Sequence, residues 1–191
     1  MHFEEDSFYI EKTRQGDLAA YGRLVQKHES YAFTLAFRIL KNKEEAEEAA
    51  QDAFVKAYEG ISSFEGKSKF TTWLYKIVYY ESLTKLRKNK HYFLDIEEIG
   101  EKESVENSFM NGFDEIQSAQ RKELIQSSLR EMKPAEATIL SLFYLQEQSI
   151  KEIETITEYS NSQVKILLHR GRKSLLECLK RIAKEELSEL L

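Results

Sequence analysis

The sequence predicts an all-α protein that contains two small helical domains joined by an acidic linker. Only 7 of the 191 residues are glycine and 1 is proline, a composition that favours helix over sheet. Apolar residues recur at helical spacing in several long stretches. Residues 90–113 interrupt this pattern with a run of acidic side chains. The length of the chain fits one domain of ordinary size or two small ones, and the acidic interruption favours two.

The first long helix is predicted between Asp17 and Leu40. Apolar positions in this stretch follow i, i+3, i+4 spacing, which places them on one face of a helix. That face consists of Tyr21, Leu24, Val25, His28, Tyr31, Ala32, Leu35, Ala36 and Ile39. Because His28 falls within this face, we expect it to be a packed core histidine rather than a ligand.

A second helix is predicted after an interruption at Lys41 and Asn42. Asn42 is a suitable N-cap, and Glu44 and Glu45 fall in the positively polarised first turn. The apolar face is rich in alanine, which lets a neighbouring helix approach closely. It consists of Ala46, Ala49, Ala50, Ala53, Phe54, Ala57, Tyr58 and Ile61. Gly60 is expected to end the helix.

The third helix is predicted to start near Ser68, within the aromatic and basic stretch 64–80. One side of this helix carries a core stripe made of Phe70, Trp73, Leu74, Ile77 and Val78. The stripe is expected to fail after Val78, because Glu81 and Lys85 occupy positions where apolar residues would continue. Three long helices with short connections predict a helical bundle.

The other side of the third helix is unusual for a solvent-exposed face, because lysines share it with tyrosines. Its members are Lys69, Thr72, Lys76, Tyr79 and Tyr80. The unusual feature of this helix is therefore its second side and not the conspicuous Trp73, which is expected to pack in the core.

Residues 90–113 lose the helical period and carry six acidic side chains against two lysines, Lys90 and Lys102. The acidic residues are Asp95, Glu97, Glu98, Glu101, Glu103 and Glu106. We interpret this stretch as an acidic flexible linker. It divides the chain into a first domain over residues 1–89, the linker, and a second domain over residues 114–191.

The second domain is predicted to begin with a helix from near Asp114 to about Met132. Lys133 and Pro134 then open another helix, because proline suits the first helical turn. The apolar run of this helix is Ile139, Leu140, Leu142, Phe143 and Leu145.

Two strong helix-start signals follow in the second domain. Ser149 and Glu152 form one capping box, and Ser160 and Gln163 form another. They predict a short helix over about residues 150–157, a tight turn and a second helix. Two capped helices separated by three or four residues describe a helix-turn-helix, whose second helix enters the major groove of DNA.

The net charge of −5 gives no direct support for nucleic-acid binding, so the distribution of charge matters more than its sum. Residues 67–90 carry seven lysine and arginine residues against Glu81 alone, and residues 160–184 carry seven against Glu177 alone. Each segment is therefore +6. Two basic segments, one in each domain, indicate two contacts with a polyanion. The acidic second helix indicates a protein partner.

The basic residues of the last helix divide into two groups. The first group lies on one side of the helix, directly after the second capping box, and consists of Lys165, His169, Arg170 and Lys173. This position favours contact with DNA over a solvated surface. For Lys180, Arg181 and Lys184, a solvated helix end favoured by the helix dipole is an equally good interpretation.

Four stretches, in this order, resemble the extracytoplasmic-function (ECF) sigma factors, the smallest members of the sigma-70 family of bacterial transcription initiation factors. GDLAAYGRLVQKH is similar to the start of the family's region 2, and EEAEEAAQDAFVKAYEGI resembles the helix that contacts the polymerase clamp. FEGKSKFTTWLYKIVYYESLTKLRK is similar to the segment that melts and reads the −10 element. SIKEIETITEYSNSQVKILLHRGRKSL is similar to the region 4 helix-turn-helix that reads the −35 element. The resemblance covers roughly residues 16–88 and 120–180.

The resemblance implies promoter-specific transcription initiation and three sets of site residues. Those implied to bind RNA polymerase are Glu48, Gln51, Asp52, Phe54 and Lys56, although helical spacing places Phe54 in the core. Those implied to meet the −10 element are Ser63, Phe64, Gly66, Lys67, Lys69, Thr72, Lys76, Tyr79 and Tyr80. Within this set, the loop 63–68 would capture a flipped base. Those implied to read the −35 element are Ser160, Ser162, Gln163, Lys165, Ile166, His169, Arg170 and Lys173.

The chain departs from the family pattern in the helix-turn-helix. Glu158 stands where the turn usually holds a glycine, so this backbone must adopt its conformation without glycine's freedom. Ile166 and Leu167 replace a small polar residue and an arginine. The second replacement removes one phosphate contact and leaves the −35 preference open.

The resemblance also implies partners and a location. The partners are core RNA polymerase, through its clamp and flap, promoter DNA, and an anti-sigma factor as regulator. The location is the cytoplasm, at the nucleoid or held at the membrane by an anti-sigma factor. The residues agree, because a single cysteine, Cys178, suits a reducing compartment and no stretch of about 18 apolar residues predicts membrane insertion. The acidic start is not expected to be a signal peptide.

Two other classes of protein compete with this interpretation. A helix-turn-helix regulator with an N-terminal sensing bundle would bind duplex DNA stably without polymerase, but it has no need for the basic aromatic face of the first domain. An enzyme is disfavoured because the 4 histidines are dispersed and the sequence contains no HExxH motif and no phosphate-binding loop. No catalytic residue, metal, cofactor or small-molecule substrate is implied.

Overall fold

The structure is a computed structural model that describes residues 2–88 and 119–189, with side chains over 6–88 and 123–182. The described ranges contain eight α-helices. They are α1 His2–Arg14, α2 Leu18–Leu40, α3 Lys43–Gly60, α4 Phe70–Lys88, α5 Ala119–Glu131, α6 Pro134–Leu140, α7 Ile150–Thr157 and α8 Asn161–Glu189. The predicted linker 90–113 lies outside the described residues. The all-α prediction is confirmed for the part of the chain that the structure describes.

The helices α2, α3 and α4 form a bundle in which each packs on the other two. α2 begins where the Asp17 side chain accepts a hydrogen bond from the Ala20 N–H, and it ends where Lys41 adopts a left-handed conformation. The predicted N-cap of α3 is confirmed, since the Asn42 side chain accepts from the Glu45 N–H. The alanines of α3 are buried, so the neighbouring helices pack closely against its backbone.

The core stripe of α4 differs from the prediction in two respects. Leu74 and Val78 are fully buried, but Trp73 and Ile77 are only partly buried. The stripe also continues beyond Val78 through three further buried residues, Ser82, Leu83 and Leu86. A serine is tolerated there because its hydroxyl donates to the Val78 carbonyl within the helix, at 2.8 Å.

The N-terminal helix α1 packs along α2 and adds a layer that the sequence analysis did not predict. Its buried side chains include Ile10 and Asp6. One carboxylate oxygen of Asp6 lies 2.7 Å from Lys27 Nζ, and the other lies 3.2 Å from His28 Nε2. The prediction that His28 is a packed core residue is confirmed, because this ring is buried and paired with a carboxylate.

The second unit contains α5 to α8. Pro134 opens α6 as predicted, and the Ser149–Glu152 capping box is present with both of its hydrogen bonds. The apolar run predicted for α6 packs in the core except for Leu145, but the α-helix ends at Leu140 and continues as a π-helical turn over Ser141–Leu145. Leu145 lies at the end of that turn and is exposed, because the wider turn rotates it away from the core.

The two units contact each other at two places. α2 packs against α6, and α4 packs against α7. At the first contact, Lys41 Nζ donates to the carbonyls of Leu129, Arg130 and Met132 at 3.2, 2.6 and 3.0 Å. A cation is favourable at the C-terminal end of α5 because the last carbonyls of a helix have no intrahelical partner.

Candidate polymerase and nucleic-acid interface

The outward side of α3 carries the residues predicted to bind polymerase. Glu48, Gln51, Asp52 and Lys56 are exposed. Phe54 is buried and belongs to the core, and its carbonyl accepts a hydrogen bond from the Tyr21 hydroxyl. The exposed residues form an acidic and polar surface, which we call the α3 face.

Two ion-pair connections join the α3 face to α4. Lys56 Nζ lies 2.6 Å from Glu81 Oε1, and Lys85 Nζ lies 2.8 Å from Glu48 Oε1 and 3.7 Å from Asp52 Oδ2. The hydrogen bond with Glu81 raises the pKa of Lys56. Glu81 and Lys85, which interrupt the predicted apolar stripe of α4, are therefore the residues that connect α4 to the α3 face.

The loop between α3 and α4 contains the residues predicted to capture a flipped base. Phe64 is buried against Phe70 and Trp73, with its ring centroid 5.2 Å from that of Trp73. Gly66 has φ +71°, a conformation that favours glycine. The guanidinium of Arg14, in α1, donates to the carbonyls of Ile61 and Phe64 and fixes the start of the loop.

A cavity of about 130 Å³ lies beside this loop. Its walls come from α1, the loop and the start of α4: Asp6, Ser7, Ile10, Phe64, Gly66, Ser68, Lys69, Phe70 and Thr71. Three of the predicted −10 residues, Phe64, Gly66 and Lys69, therefore line one concave site. The contribution of α1 was not predicted, because the sequence gives no local sign that α1 reaches the loop.

The α4 face, defined as Lys69, Thr72, Lys76, Tyr79 and Tyr80, is not the open surface that the sequence predicts. Thr72 is 1% exposed and Tyr79 is 6% exposed. The reason is that α7 and the segment before it lie over them. Thr72 Oγ1 donates to Gln148 Oε1 at 3.1 Å, and the Tyr75 hydroxyl donates to Gln146 Oε1 at 2.8 Å.

Both lysines of the α4 face are paired with glutamates of the second unit. Lys69 Nζ lies 2.9 Å from Glu152 Oε1, and Lys76 Nζ lies 2.9 Å from Glu158 Oε1. Lys76 also lies over the Tyr80 ring, 5.9 Å from its centroid. The two ion pairs stand two helical turns apart on α4, with the buried Thr72 between them.

The tyrosines and glutamates of this contact have shifted pKa values. Burial and the neighbouring Tyr159 hydroxyl raise the pKa of Tyr79 well above its ordinary value. Burial and a hydrogen bond to Glu158 raise the pKa of Tyr80 to about 12. Hydrogen bonds from Lys76 and Tyr80 lower the pKa of Glu158. Burial of Glu152 opposes ionisation, but its hydrogen bonds with Lys69 and Ser149 outweigh burial and lower its pKa.

The helix-turn-helix consists of α7, a turn and α8, as predicted. The second capping box is confirmed: the Ser160 N–H donates to Gln163 Oε1 at 2.8 Å, and the Gln163 N–H donates to Ser160 Oγ at 3.3 Å. Glu158 ends α7 in the left-handed conformation, with φ 61° and ψ 13°. A glutamate thus holds the backbone conformation for which a glycine would be the usual choice.

The start of α8 presents most of the predicted −35 residues to solvent. Ser160, Ser162, Lys165, His169 and Lys173 are exposed, and Gln163 and Arg170 are partly exposed. Ile166 is 4% exposed, so the prediction that it contacts DNA disagrees with its position here.

Farther along α8, two basic side chains make contacts within the second unit. Arg172 Nε donates to the Tyr144 hydroxyl at 2.9 Å, and Arg181 pairs with Glu131 of α5. Arg181 is exposed and forms a surface ion pair, which agrees with a position on the solvated part of α8. The side chain of Lys184 lies outside the described residues.

Within the described residues, no group of three histidine, cysteine, aspartate or glutamate side chains is arranged to hold a metal ion. No helix in the ranges 2–88 and 119–189 combines the length and the hydropathy that a membrane-spanning helix requires.

A three-helix bundle with an acidic face beside a basic aromatic face, followed by a helix-turn-helix, defines the class of protein: a DNA-binding factor that also contacts a protein partner. Comparison with protein families identifies the two units. Residues 24–92 match the family model for Sigma-70 region 2, and residues 122–175 match that for Sigma-70, region 4.

Characterised relatives agree with this identification. The chain is 33% identical over 177 residues to the ECF RNA polymerase sigma factor SigW of Bacillus subtilis (strain 168), covering 90% of this chain and 95% of SigW. It is 32% identical over 151 residues to the RNA polymerase sigma factor YlaC of the same strain, covering 78% of this chain and 86% of YlaC. The chain belongs to the ECF sigma factors of the sigma-70 family.

Solved structures share the fold. CnrH, solved in complex with the cytosolic domain of CnrY, superposes with a TM-score of 0.63 at 19% identity, covering 93% of this chain and 98% of CnrH. RpoE from Bartonella quintana, solved with the anti-sigma factor NepR, gives a TM-score of 0.61 at 19% identity, covering 84% of this chain and 96% of RpoE.

Proposed function

We propose that this sigma factor directs core RNA polymerase to promoters by binding the enzyme with its α3 face and the −10 strand with its α4 face and the adjoining loop. The start of α8 reads the −35 element. The observation that carries this proposal is the pair of connections Lys56–Glu81 and Lys85–Glu48, which join the α3 face to helix α4 within one bundle. This bundle would hold polymerase on one side and a DNA strand on the other.

The chemistry of each surface supports its assigned partner. Exposed carboxylates at Glu48 and Asp52 suit basic helices of a protein partner. Lysines interleaved with tyrosines suit a single strand, because aromatic rings stack on bases and cations neutralise phosphates. Exposed Lys165, His169 and Lys173 on the second helix of a helix-turn-helix suit the major groove of duplex DNA.

The loop cavity suits a flipped base. Buried Phe64 supplies an apolar wall, Gly66 allows close approach of backbone groups, and Lys69 supplies a cation at the rim. A flipped base requires a pocket of this kind, with a flat wall and nearby polar groups.

The test is transcription reconstituted from purified core polymerase and this protein on genomic DNA fragments. We expect initiation from defined start sites only when the protein is present. The absence of any defined start site would contradict the proposal.

A helix-turn-helix regulator that acts without polymerase is the alternative, and a gel-shift experiment separates the two. A sigma factor should shift promoter duplex strongly only when core enzyme is added, whereas an independent regulator should shift it alone. The chain is proposed to carry out no chemistry of its own.

The site of action and the regulator are also proposals. The protein is proposed to act in the cytoplasm, where bacterial polymerase and DNA are found, and to associate with the nucleoid through them. The sigma factor RpoE, which shares this fold, was solved with the anti-sigma factor NepR, which supports an anti-sigma factor as a partner of this chain too. Co-purification from the native host would identify it.

A further inference from the structure

Helix α1 contributes a charged residue to the wall of the loop cavity. Asp6 lies in the first half of α1 and lines this cavity together with Ile10 of the same helix and Phe64 of the loop. The Asp6 side chain is only 11% accessible, so nearly all of it is enclosed by protein. A carboxylate in such a place needs partners, because the burial of an isolated charge is costly.

The partners of Asp6 come from α2. Its Oδ1 accepts a hydrogen bond from Lys27 Nζ at 2.7 Å, and its Oδ2 lies 3.2 Å from His28 Nε2. Burial opposes ionisation of Asp6, but the hydrogen bonds with His28 and Lys27 outweigh burial and lower the pKa of the carboxyl group. The wall of the cavity therefore carries a fixed negative charge at neutral pH.

This carboxylate retains capacity for further hydrogen bonds. An ionised carboxylate has about four acceptor positions and no donor. Lys27 and His28 occupy one position on each oxygen of Asp6. A ligand in the cavity can therefore donate N–H groups to Asp6, whereas a carbonyl oxygen at the same place would be repelled.

A second contact of α1 fixes the carboxylate relative to the loop. The Arg14 guanidinium, about two helical turns after Asp6, donates to the carbonyls of Ile61 and Phe64. Helix α1 is thus joined to α2 through Asp6 and to the start of the loop through Arg14. A site discriminates between ligands by hydrogen bonds only when its own groups are held in place, and these two contacts hold them.

The DNA bases differ in what they offer to such a carboxylate. Adenine, cytosine and guanine each carry an exocyclic amino group, whose N–H groups are donors, but thymine carries a carbonyl oxygen and a methyl group instead. A base that has left the stack presents its Watson–Crick edge to the pocket that receives it. An amino group on that edge can donate to Asp6. The single ring N–H of thymine lies between two carbonyl oxygens, which would face the same negative charge.

We propose that Asp6 selects the base that enters the loop cavity, by accepting a hydrogen bond from an amino group and so excluding thymine. This inference rests on the proposed function for the entry of a flipped base. The family resemblance implies only residues of the loop and of α4 for this site, so Asp6 adds a specificity-determining residue from α1.

A purely structural role of Asp6, as the link between α1 and α2, has a different consequence. Changing the residue would then weaken the binding of every strand by the same factor. A selective role changes the ratio of affinities between bases that carry an amino group and bases that carry a carbonyl oxygen. That ratio is therefore the quantity to measure.

The first experiment locates the base that enters the cavity. Holoenzyme is assembled from core polymerase and the full chain, and it is bound to the −10 strand of a promoter found by reconstituted transcription. The fluorescent base 2-aminopurine replaces each base of this strand in turn, and its emission rises when it loses its stacking neighbours. One position should brighten when holoenzyme binds.

The second experiment compares four pyrimidines at that position, by fluorescence anisotropy of a labelled single strand with holoenzyme. Cytosine and 5-methylcytosine carry the amino group, whereas uracil and thymine carry a carbonyl oxygen at the same place. Wild type should bind the two amino bases about tenfold more tightly, because a hydrogen bond to a charged group is stronger than one between neutral groups. Base-pairing energy does not contribute, since the strand is unpaired. A preference that follows the methyl group instead would contradict the proposal.

Variants then assign the preference to Asp6. The amide of Asp6→Asn can donate to a carbonyl oxygen, so the two classes of base should bind within about twofold of each other. Glu29→Gln, which changes an exposed carboxylate of α2 outside the cavity, is the control and should keep the full preference. Asp6→Glu keeps the charge beside Lys27 and His28 and serves if thermal unfolding shows that Asp6→Asn does not fold. Moving the carboxylate by one methylene should reduce the preference to about threefold.

The outcomes separate failure of this inference from failure of the proposed function. Equal binding of cytosine and uracil by wild type overturns the role of Asp6 even when transcription starts at defined sites, and so does a full preference in every folded Asp6 variant. An equal loss for all four bases in these variants assigns Asp6 a structural role and also overturns the inference. If no position brightens, no base enters the cavity, and the proposed role of the loop fails together with this inference.

Discussion

The α3 face and the α4 face lie on adjacent helices of one bundle, yet only one of them is open. On α3, Glu48, Gln51 and Asp52 are exposed, and their contacts reach only to Lys85 at one edge. On α4, Thr72 and Tyr79 are buried beneath the second unit. The difference teaches that the second unit covers one face of the bundle and leaves the neighbouring face exposed, although both faces carry charged residues that the sequence singles out.

The largest expected difference between the two faces is in stability. Tyr79→Ala should lower the free energy of unfolding by about 2–4 kcal/mol, because it removes a buried aromatic ring. Gln51→Ala on α3 is the control and should change it by less than about 0.5 kcal/mol, since the side chain is exposed. Urea denaturation measures both. Equal effects would show that the α4 face is not covered in solution.

The burial of Tyr79 also determines which substitution can test its role in DNA binding. Because Tyr79→Ala combines a folding defect with the loss of a stacking ring, it cannot isolate a role in melting. Tyr79→Phe keeps the buried ring and removes only the hydroxyl near Tyr159.

The next largest effect is expected on DNA binding through α8, whose start is exposed like the α3 face. Lys165→Ala should weaken binding of the polymerase complex to the −35 element by about 1–3 kcal/mol if the lysine contacts a base, and by less if it contacts only phosphate. Lys180→Ala, also exposed but near the end of α8, serves as control. If the footprints of both variants are unchanged, Lys165 does not contribute to DNA binding.

A smaller effect, on binding to polymerase, should come from the ion pairs that connect the α3 face to helix α4. Lys85 neutralises Glu48 and Asp52, so Lys85→Met should free both carboxylates and tighten binding to basic surfaces of core polymerase by about two- to fivefold. Lys43→Met, which affects the exposed Lys43–Glu47 pair at the start of α3, is the control. Weaker binding by Lys85→Met would show instead that this lysine positions the carboxylates.

The smallest effect expected is that of a pH change near neutrality on the contact between α4 and α7. The pKa of Glu158 lies below its ordinary value of 4.5 because Lys76 and Tyr80 hold the ionised form. A carboxyl group of this kind contributes its full stabilisation of the contact between α4 and α7 above pH 4.5 and loses it as pH falls through the lowered pKa. The radius of gyration from small-angle scattering should therefore be constant between about pH 6 and 8 and increase only below about pH 4.5. A change near neutrality would require a different titrating group.

Much of the fold could be predicted because its signals are local. The Asn42 cap, the Ser149–Glu152 capping box and the proline that opens α6 each involve residues within one helical turn. The alanine face of α3 follows from helical spacing alone. Helix α1 was missed because its apolar pattern is weak, and the π-helical turn after Leu140 has the same apolar composition as the helix that was predicted there.

The candidate site could be predicted in part. Residue types and spacing singled out Lys69, Lys76 and the tyrosines of α4 as unusual, and Glu158 as a departure from the family pattern. No local pattern pairs them, because Lys76 and Glu158 are distant along the chain and belong to different units. Arg14, which fixes the loop through Ile61 and Phe64, was missed for the same reason.

The sequence by itself therefore determined which segments are helical, where most of them start, and which family the chain resembles. These properties depend on hydrogen bonds and spacing within one or two turns. Only the tertiary structure decided which of the predicted faces is accessible. Accessibility depends on what packs against a helix, and the residues that cover Thr72 and Tyr79 come from the other unit of the molecule.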